Sequence, residues 1–154
     1  WRMEYIERDP KNNKQCILCN KVQENREKEN YIICRKKYNF SLLNIYPYNG
    51  GHLMISPYEH VANLEDLSKI ALEELMIFTK EMVNLLKRTM NPQGFNVGMN
   101  LGEIAGAGIA SHLHVHIVPR WSGDTNFMPV IGDTKVMPQA LAKIYDNLIA
   151  NLKE

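Results

Sequence analysis

The chain has 154 residues, 45% hydrophobic and 23% charged, the size and composition of one domain around one core. Its formal net charge of +1 excludes a general field for nucleic acid or an acidic membrane surface. No apolar run approaches the ~20 residues that cross a bilayer, and Trp1 to Tyr5 hold no secretory apolar segment, so the cytoplasm is the expected compartment.

Residues 10–30 are polar, rich in Asn, Lys and Glu around Cys16 and Cys19, and read as a loop or short helix held by something other than a core. Three short apolar runs follow as strands: Tyr31 to Arg35, Phe40 to Ile45 and His52 to Ser56. The stretch Tyr46 to Gly51, with Pro47, Asn49, Gly50 and Gly51, is a turn between the last two. Residues 71–90 carry Leu72, Leu75, Phe78, Thr79, Met82, Leu85, Leu86 and Met90 at three- and four-residue spacings, one apolar stripe of a long helix. Ser68, Glu73 and Glu74 fit its start, and Lys87 and Arg88 its end. Asn91 to Gly94 break it. Phe95 to Met99 form a short strand, residues 100–110 are a Gly/Ala-rich loop, and residues 112–118 alternate as another strand. A last helix runs from about Pro138 to Leu152, with Ala140, Leu141, Ile144, Tyr145, Leu148 and Leu152 on its apolar face. Strands in sequence with helices placed apart predict an α+β fold with an antiparallel sheet of about five strands, spanning residues 1–154 as a single domain.

Two groups of residues point to chemistry. Three cysteines are too few and too odd a number for a disulfide framework. Cys34 sits in an apolar run and reads as a small core residue, whereas Cys16 and Cys19 form a Cys-x-x-Cys pair. That pair needs two more ligands for tetrahedral zinc, and the candidates are His52, His60 and one member of the triplet His112, His114 and His116. The triplet is the second group. Alternate residues of a strand share a face, so three imidazoles line one surface while Leu113, Val115 and Ile117 point to the core. Three polar rings on a buried-looking strand are expensive without a use. Serving together as ligands of a catalytic metal is one use, but no Asp or Glu stands close behind in Ile117 to Arg120. Nucleophilic attack on phosphorus is the other, since an imidazole titrating near pH ~6.5 is neutral and available. The loop from Asn100 to Gly108 leads into the triplet, and its small residues let backbone amides approach a phosphate.

The run His112-Leu113-His114-Val115-His116-Ile117-Val118, followed by Pro119 and Arg120, resembles the signature of the histidine triad (HIT) family. Asn44 to His60 resembles that family's nucleoside-binding hairpin. Gly98 to Gly102, Pro119 to Phe127 and the N-terminal Trp1 to Ile6 are similar to the branch of diadenosine tetraphosphate phosphorylases and hydrolases. The resemblance implies a HIT-like fold with one long helix and a C-terminal helix. It implies cleavage at the α-phosphate of dinucleoside polyphosphates through a nucleotidyl-histidine, with phosphoramidate hydrolysis, nucleotidylyl transfer or nucleotide binding without turnover as alternatives.

Residue by residue, His114 matches the nucleophile and His116 the third triad member, which hydrogen-bonds near the phosphate. Asn44 matches the ribose position, and Asn100 with Gly106, Ala107 and Gly108 the α-phosphate cradle. In zinc-bearing members the metal is held by positions matching Cys16, Cys19, His60 and His112, which implies structural Zn2+. His52 is then structural, orienting the hairpin or a neighbouring His. Where many members place Gln or Ser before the triad strand, this chain has Ala107 to Ala110, so backbone contacts replace a side chain there. The resemblance also implies nucleotide or dinucleoside polyphosphate as the partner, without nucleic acid or membrane, and a homodimer paired sheet edge to edge, which the open strand edge of a five-stranded sheet would explain.

Overall fold

The computed structural model describes residues 16–124 and 140–152. The likenesses read at Trp1 to Ile6 and Thr125 to Phe127, and the start of the last helix at Pro138, lie outside those residues. In chain order come α1 (Ile17–Gln23), α2 (Glu27–Asn30), β1 (Ile32–Arg35), β2 (Asn39–Leu43), β3 (Leu53–Pro57), α3 (Lys69–Met90), β4 (Gly94–Met99), β5 (Val115–Arg120) and α4 (Leu141–Asn151). The strands form one sheet in the order β1-β2-β3-β5-β4, with every neighbouring pair antiparallel. The expected fold class is therefore the observed one.

The two faces of the sheet are covered differently. On one face Leu43, Leu53, Ile55, Val115 and Ile117 pack against Leu75, Phe78, Met82, Leu85 and Leu86 of α3 and Ile144 and Leu148 of α4. Burying each of these large side chains is worth about 1.5–3 kcal/mol over leaving it exposed, so this layer is the main core. The stripe read from the sequence is the face α3 buries, and the Ser68 hydroxyl accepts from the Ala71 amide at its start. Lys87 and Arg88 lie in its last turn, and Asn91 closes it at φ 47°. Glu74 of α3 accepts the Tyr38 amide and the Asn39 side chain donates to the Ala71 carbonyl, which pins α3 to the start of β2.

On the opposite face α1 packs over β1, β2 and β3. Leu18 is buried there with Ile32, Phe40, Leu42 and Met54, and the two α1-end cysteines join them. This corrects the expectation that residues 10–30 have no core of their own, at least for the part described. Ile17, Leu18 and Val22 are the aliphatic residues of a polar stretch, and the partners of Leu18 come from three strands, so local pattern cannot reveal them. Cys34 is only half-buried, at the margin of the main core. Among the described residues nothing covers the β4 side of this face, where Asn96 and Gly98 are exposed.

One boundary moved. The triplet was expected wholly inside a strand, but β5 begins at Val115. The segment before it is held by other bonds. His112 donates its amide to Ile109, Leu113 donates to the Val61 carbonyl at 2.7 Å, and the Ser56 hydroxyl donates to the Leu113 carbonyl at 2.8 Å. The alternation survives, and His112 and His114 are 1% and 4% exposed.

Candidate functional site

The face opposite α3 collects the site. Cys16 stands at the N-terminus of α1 and Cys19 one turn later, so both sulfurs fall on one side of that short helix. His60 follows β3, and the Leu113-to-Val61 bond ties its segment to that of His112. Cys16 Sγ lies 3.3 Å and Cys19 Sγ 3.4 Å from His112 Nδ1. His60 Nδ1 lies 3.4 Å from Cys19 Sγ and 3.3 Å from His112 Nδ1. The four ligand atoms all fall within 4.8 Å of one another.

These distances fit a metal centre. Tetrahedral zinc, with bonds of about 2.3 Å to sulfur and about 2.0–2.1 Å to nitrogen, spaces its ligand atoms about 3.3–3.8 Å apart. Two thiolates and two imidazoles are also a donor set that suits zinc. His112 Nε2 lies 2.8 Å from the Pro57 carbonyl, which can only accept, so Nε2 carries the proton and the Nδ1 lone pair faces the cluster. Burial, helped by His60 and His114 and opposed by the Pro57 carbonyl, lowers His112 to about 4, keeping it neutral. Burial and the Cys16 sulfur push the Cys19 thiol up to about 12, a penalty that a divalent cation among the ligands would reverse. His60 Nε2 is buried without a partner among the described residues. His52, the other candidate left open by spacing alone, is not in the cluster.

The second and third triad histidines lie outside that cluster. His114 Nδ1 is 2.8 Å from the backbone carbonyl of His112, so Nδ1 donates and Nε2 keeps its lone pair. Burial lowers its affinity for a proton, against the pull of that carbonyl. An imidazole that is neutral, held in one tautomer and not ligated is a competent nucleophile or base.

His116 is set by a longer chain. The Tyr48 amide donates to His52 Nδ1 at 3.0 Å, so His52 carries its proton on Nε2. That nitrogen lies 2.9 Å from His116 Nδ1, which accepts and leaves His116 with Nε2–H as a donor. Burial, then the neighbouring His114, lower His116 to about 4. The His114 and His116 rings meet edge to face at 4.8 Å between centroids. One ring thus keeps an Nε2 lone pair and its neighbour an Nε2–H.

Of the remaining sequence candidates, Asn44 stands beside these rings, and Asn100 and the turn after it are set by bonds within their own loop. Asn44 is half-buried beside His52, at 3.4 Å from its Nδ1, and its Oδ1 accepts the Tyr46 amide. The Asn100 side chain donates to the Gly106 carbonyl. Gly102 and Gly106 take positive φ of 84° and 88°, and the Gly106 and Ala107 amides bond to Glu103 and Gly102 in closing the turn. Two of the three expected cradle amides are thus already engaged. Gly108 stands in the open, where an added Cβ would meet nothing within 4 Å.

Two features escaped the sequence reading. Tyr48 stacks on His52 at 5.0 Å and 21°, and tilts over His116 at 5.9 Å. Asp124 binds Arg120 through two bonds of 2.6 and 2.8 Å, and it also accepts from the Asn49 side chain and the Trp121 amide. The motif holding Arg120 and Asp124 was visible, but its partner Asn49 lies 75 positions from Asp124.

A family model for the HIT domain matches residues 25–123, about two thirds of the chain. The chain belongs to the HIT family. Cys16 and Cys19 precede the matched span. The AP-4-A phosphorylase of Mycobacterium tuberculosis (strain ATCC 25618 / H37Rv) is 50% identical over 115 residues, 75% of this chain and 59% of that protein. The chain thus matches well under two thirds of that relative's length. Among solved structures, a Zn-bound histidine triad family protein from Mycobacterium smegmatis superposes with a TM-score of 0.75 at 20% identity, covering 92% of this chain and 96% of that one. A hypothetical histidine triad nucleotide-binding protein from Sulfolobus tokodaii strain7 gives 0.68 at 30% identity, covering 90% of this chain and 94% of that one.

Proposed function

We propose that this chain, as one HIT domain, cleaves dinucleoside polyphosphates such as diadenosine tetraphosphate at the α-phosphate, with His114 as nucleophile. The observation that carries this is the His114 tautomer: Nδ1–H is bound by the His112 carbonyl, which leaves Nε2 to attack. In the first step Nε2 bonds to the α-phosphorus and the bond to the bridging oxygen breaks. That oxygen leaves on the remaining polyphosphate, taking a hydrogen bond or proton from His116 Nε2–H. In the second step water or inorganic phosphate displaces the nucleotide from His114. Asn44 holds the ribose hydroxyls, and Asn100 with the turn from Gly106 to Gly108 faces the α-phosphate, Gly108 offering an amide while the other two shape the loop. The name of the Mycobacterium tuberculosis relative supports this substrate class.

Zn2+ at Cys16, Cys19, His60 and His112 is the proposed metal, and its role is structural, joining α1 to the loop after β3 and to the triad segment. The proposed assembly is a cytoplasmic homodimer through β4, the edge strand whose Val97 is 48% exposed.

Incubation with diadenosine tetraphosphate, with and without inorganic phosphate, tests the reading. ADP plus ATP formed only with phosphate identifies a phosphorylase, and AMP plus ATP in water a hydrolase. Two ADP in water would overturn attack at the α-phosphorus. His114→Ala should lower turnover by several orders of magnitude with the melting temperature kept, and near-wild-type activity would reject the nucleophile.

A further inference from the structure

Beyond His116 the same face of β5 continues through Val118 to Arg120. There a hollow of about 220 Å³ is lined by Tyr48, Asn49, Val118, Arg120 and Asp124. It sits beside His116 and at the end of β5 away from the zinc-type cluster. Its walls are flat groups. Tyr48 is 55% exposed, with its ring held by stacking on His52. The Arg120 guanidinium is fixed in its plane from both ends, by Asp124 on Nε and Nη2 and by Asn96 on Nη1 at 2.8 Å. Val118 supplies an apolar floor.

We infer that this hollow receives the nucleobase of the leaving nucleotide, stacked between the Tyr48 ring and the Arg120 guanidinium. The inference rests on the proposed cleavage of dinucleoside polyphosphates and gives the second nucleoside its place. A base is favoured over a phosphate because the Arg120 charge is already matched by the two-point Asp124 carboxylate. An anion would be repelled by that carboxylate, whereas a planar neutral ring gains from both an aromatic and a guanidinium face. Position agrees. Val118 lies four residues beyond His114, about 13 Å along an extended chain, so a base there reaches the α-phosphate through a bridge of several phosphates. His116, the proposed partner of the leaving oxygen, stands between His114 and Val118 on this strand face, with Tyr48 tilted over it.

The test is equilibrium binding by calorimetry to the full chain carrying His114→Asn, which removes turnover. The probes are diadenosine tetraphosphate and adenosine 5′-tetraphosphate, which differ by the second adenosine alone. The dinucleotide should bind about ten- to hundredfold tighter, the worth of one stacked base. Adding Tyr48→Ala should erase most of that preference while affinity for adenosine 5′-tetraphosphate stays within about threefold, and Tyr48→Phe should retain it. No preference in the parent, or a preference that survives Tyr48→Ala, overturns the assignment. So does an equal loss for both probes, since Tyr48 would then act only through His52. None of these readouts needs catalysis, so they stand apart from the product test of the cleavage itself.

Discussion

Replacing His52 by Asn removes the donor to His116 Nδ1, and the third triad ring then loses the contact that fixes its proton on Nε2. Correct protonation by a positioned side chain is worth about 10²–10⁴-fold in rate. His52→Asn should therefore lower kcat by about tenfold or more, with KM changed far less. Steady-state kinetics on diadenosine tetraphosphate check this, and a fall confined to KM would show that His52 only shapes the pocket. At this scale the sequence was informative because the chemistry sits in unusual residue types at fixed spacing. Alternation placed three imidazoles on one face, and the HIT resemblance selected His60 and His112 over His52 as partners of the cysteines. Nothing local showed that His52 passes a backbone-set proton to His116, since those two rings are 64 positions apart.

The β2–β3 hairpin holds His52 in place, and Gly51 makes its last bend at φ 79°. A Cβ there would lie 2.6 Å from Met90 Sδ and 3.3 Å from Pro119 Cγ, so side chains from α3 and β5 close over the turn. Gly51→Ala combines that crowding with about 1–2 kcal/mol of left-handed backbone strain. It should lower stability by at least that amount in urea unfolding, and it should lower kcat as well because His52 is the next residue. Unchanged stability would show that Met90 moves aside freely and that the turn tolerates a side chain. Long elements were the most legible: the α3 stripe, its Ser68 cap and five strands follow from periodicity and turn chemistry. The short ones were not. Helices α1 and α2 span only seven and four residues, and they hold their shape through Leu18, Asn30 and the cysteines rather than through any repeat. Asn30 is buried, and its side chain donates to the Lys21 carbonyl and to Glu24, contacts that composition cannot announce.

For the whole molecule, metal and pH act through different buried groups of the same face. Cys16→Ala should abolish stoichiometric zinc and lower the melting temperature by about 10 °C, the scale of a loss of about 3 kcal/mol or more in a domain of this size. Rate per folded molecule should fall less than stability does. Metal analysis alongside calorimetry decides it, and an unchanged melting temperature with zinc still bound would remove the structural role. Protonation gives a separate handle. His116 titrates at about 4 when folded, because burial and then His114 oppose its charge, against about 6.5 in an unfolded chain. Between those values the unfolded chain binds a proton that the folded chain refuses. The contribution is therefore present above about pH 6.5 and lost as pH falls towards about 4. The melting temperature should fall across that window, and fall less steeply in His116→Gln. Identical slopes in the two proteins would sink the assignment.

Each ring of the triad takes its orders from the main chain: His112 from the Pro57 carbonyl, His114 from the carbonyl two residues back, and His116, through His52, from the amide of Tyr48. Amides and carbonyls come with every residue, apart from the amide that proline lacks. The ring carried at position 48 is therefore free to drift, retuning which ligand is welcomed, while the placement of protons in the triad is inherited unchanged. Only a proline there would change both at once, since it removes the amide that His52 accepts from.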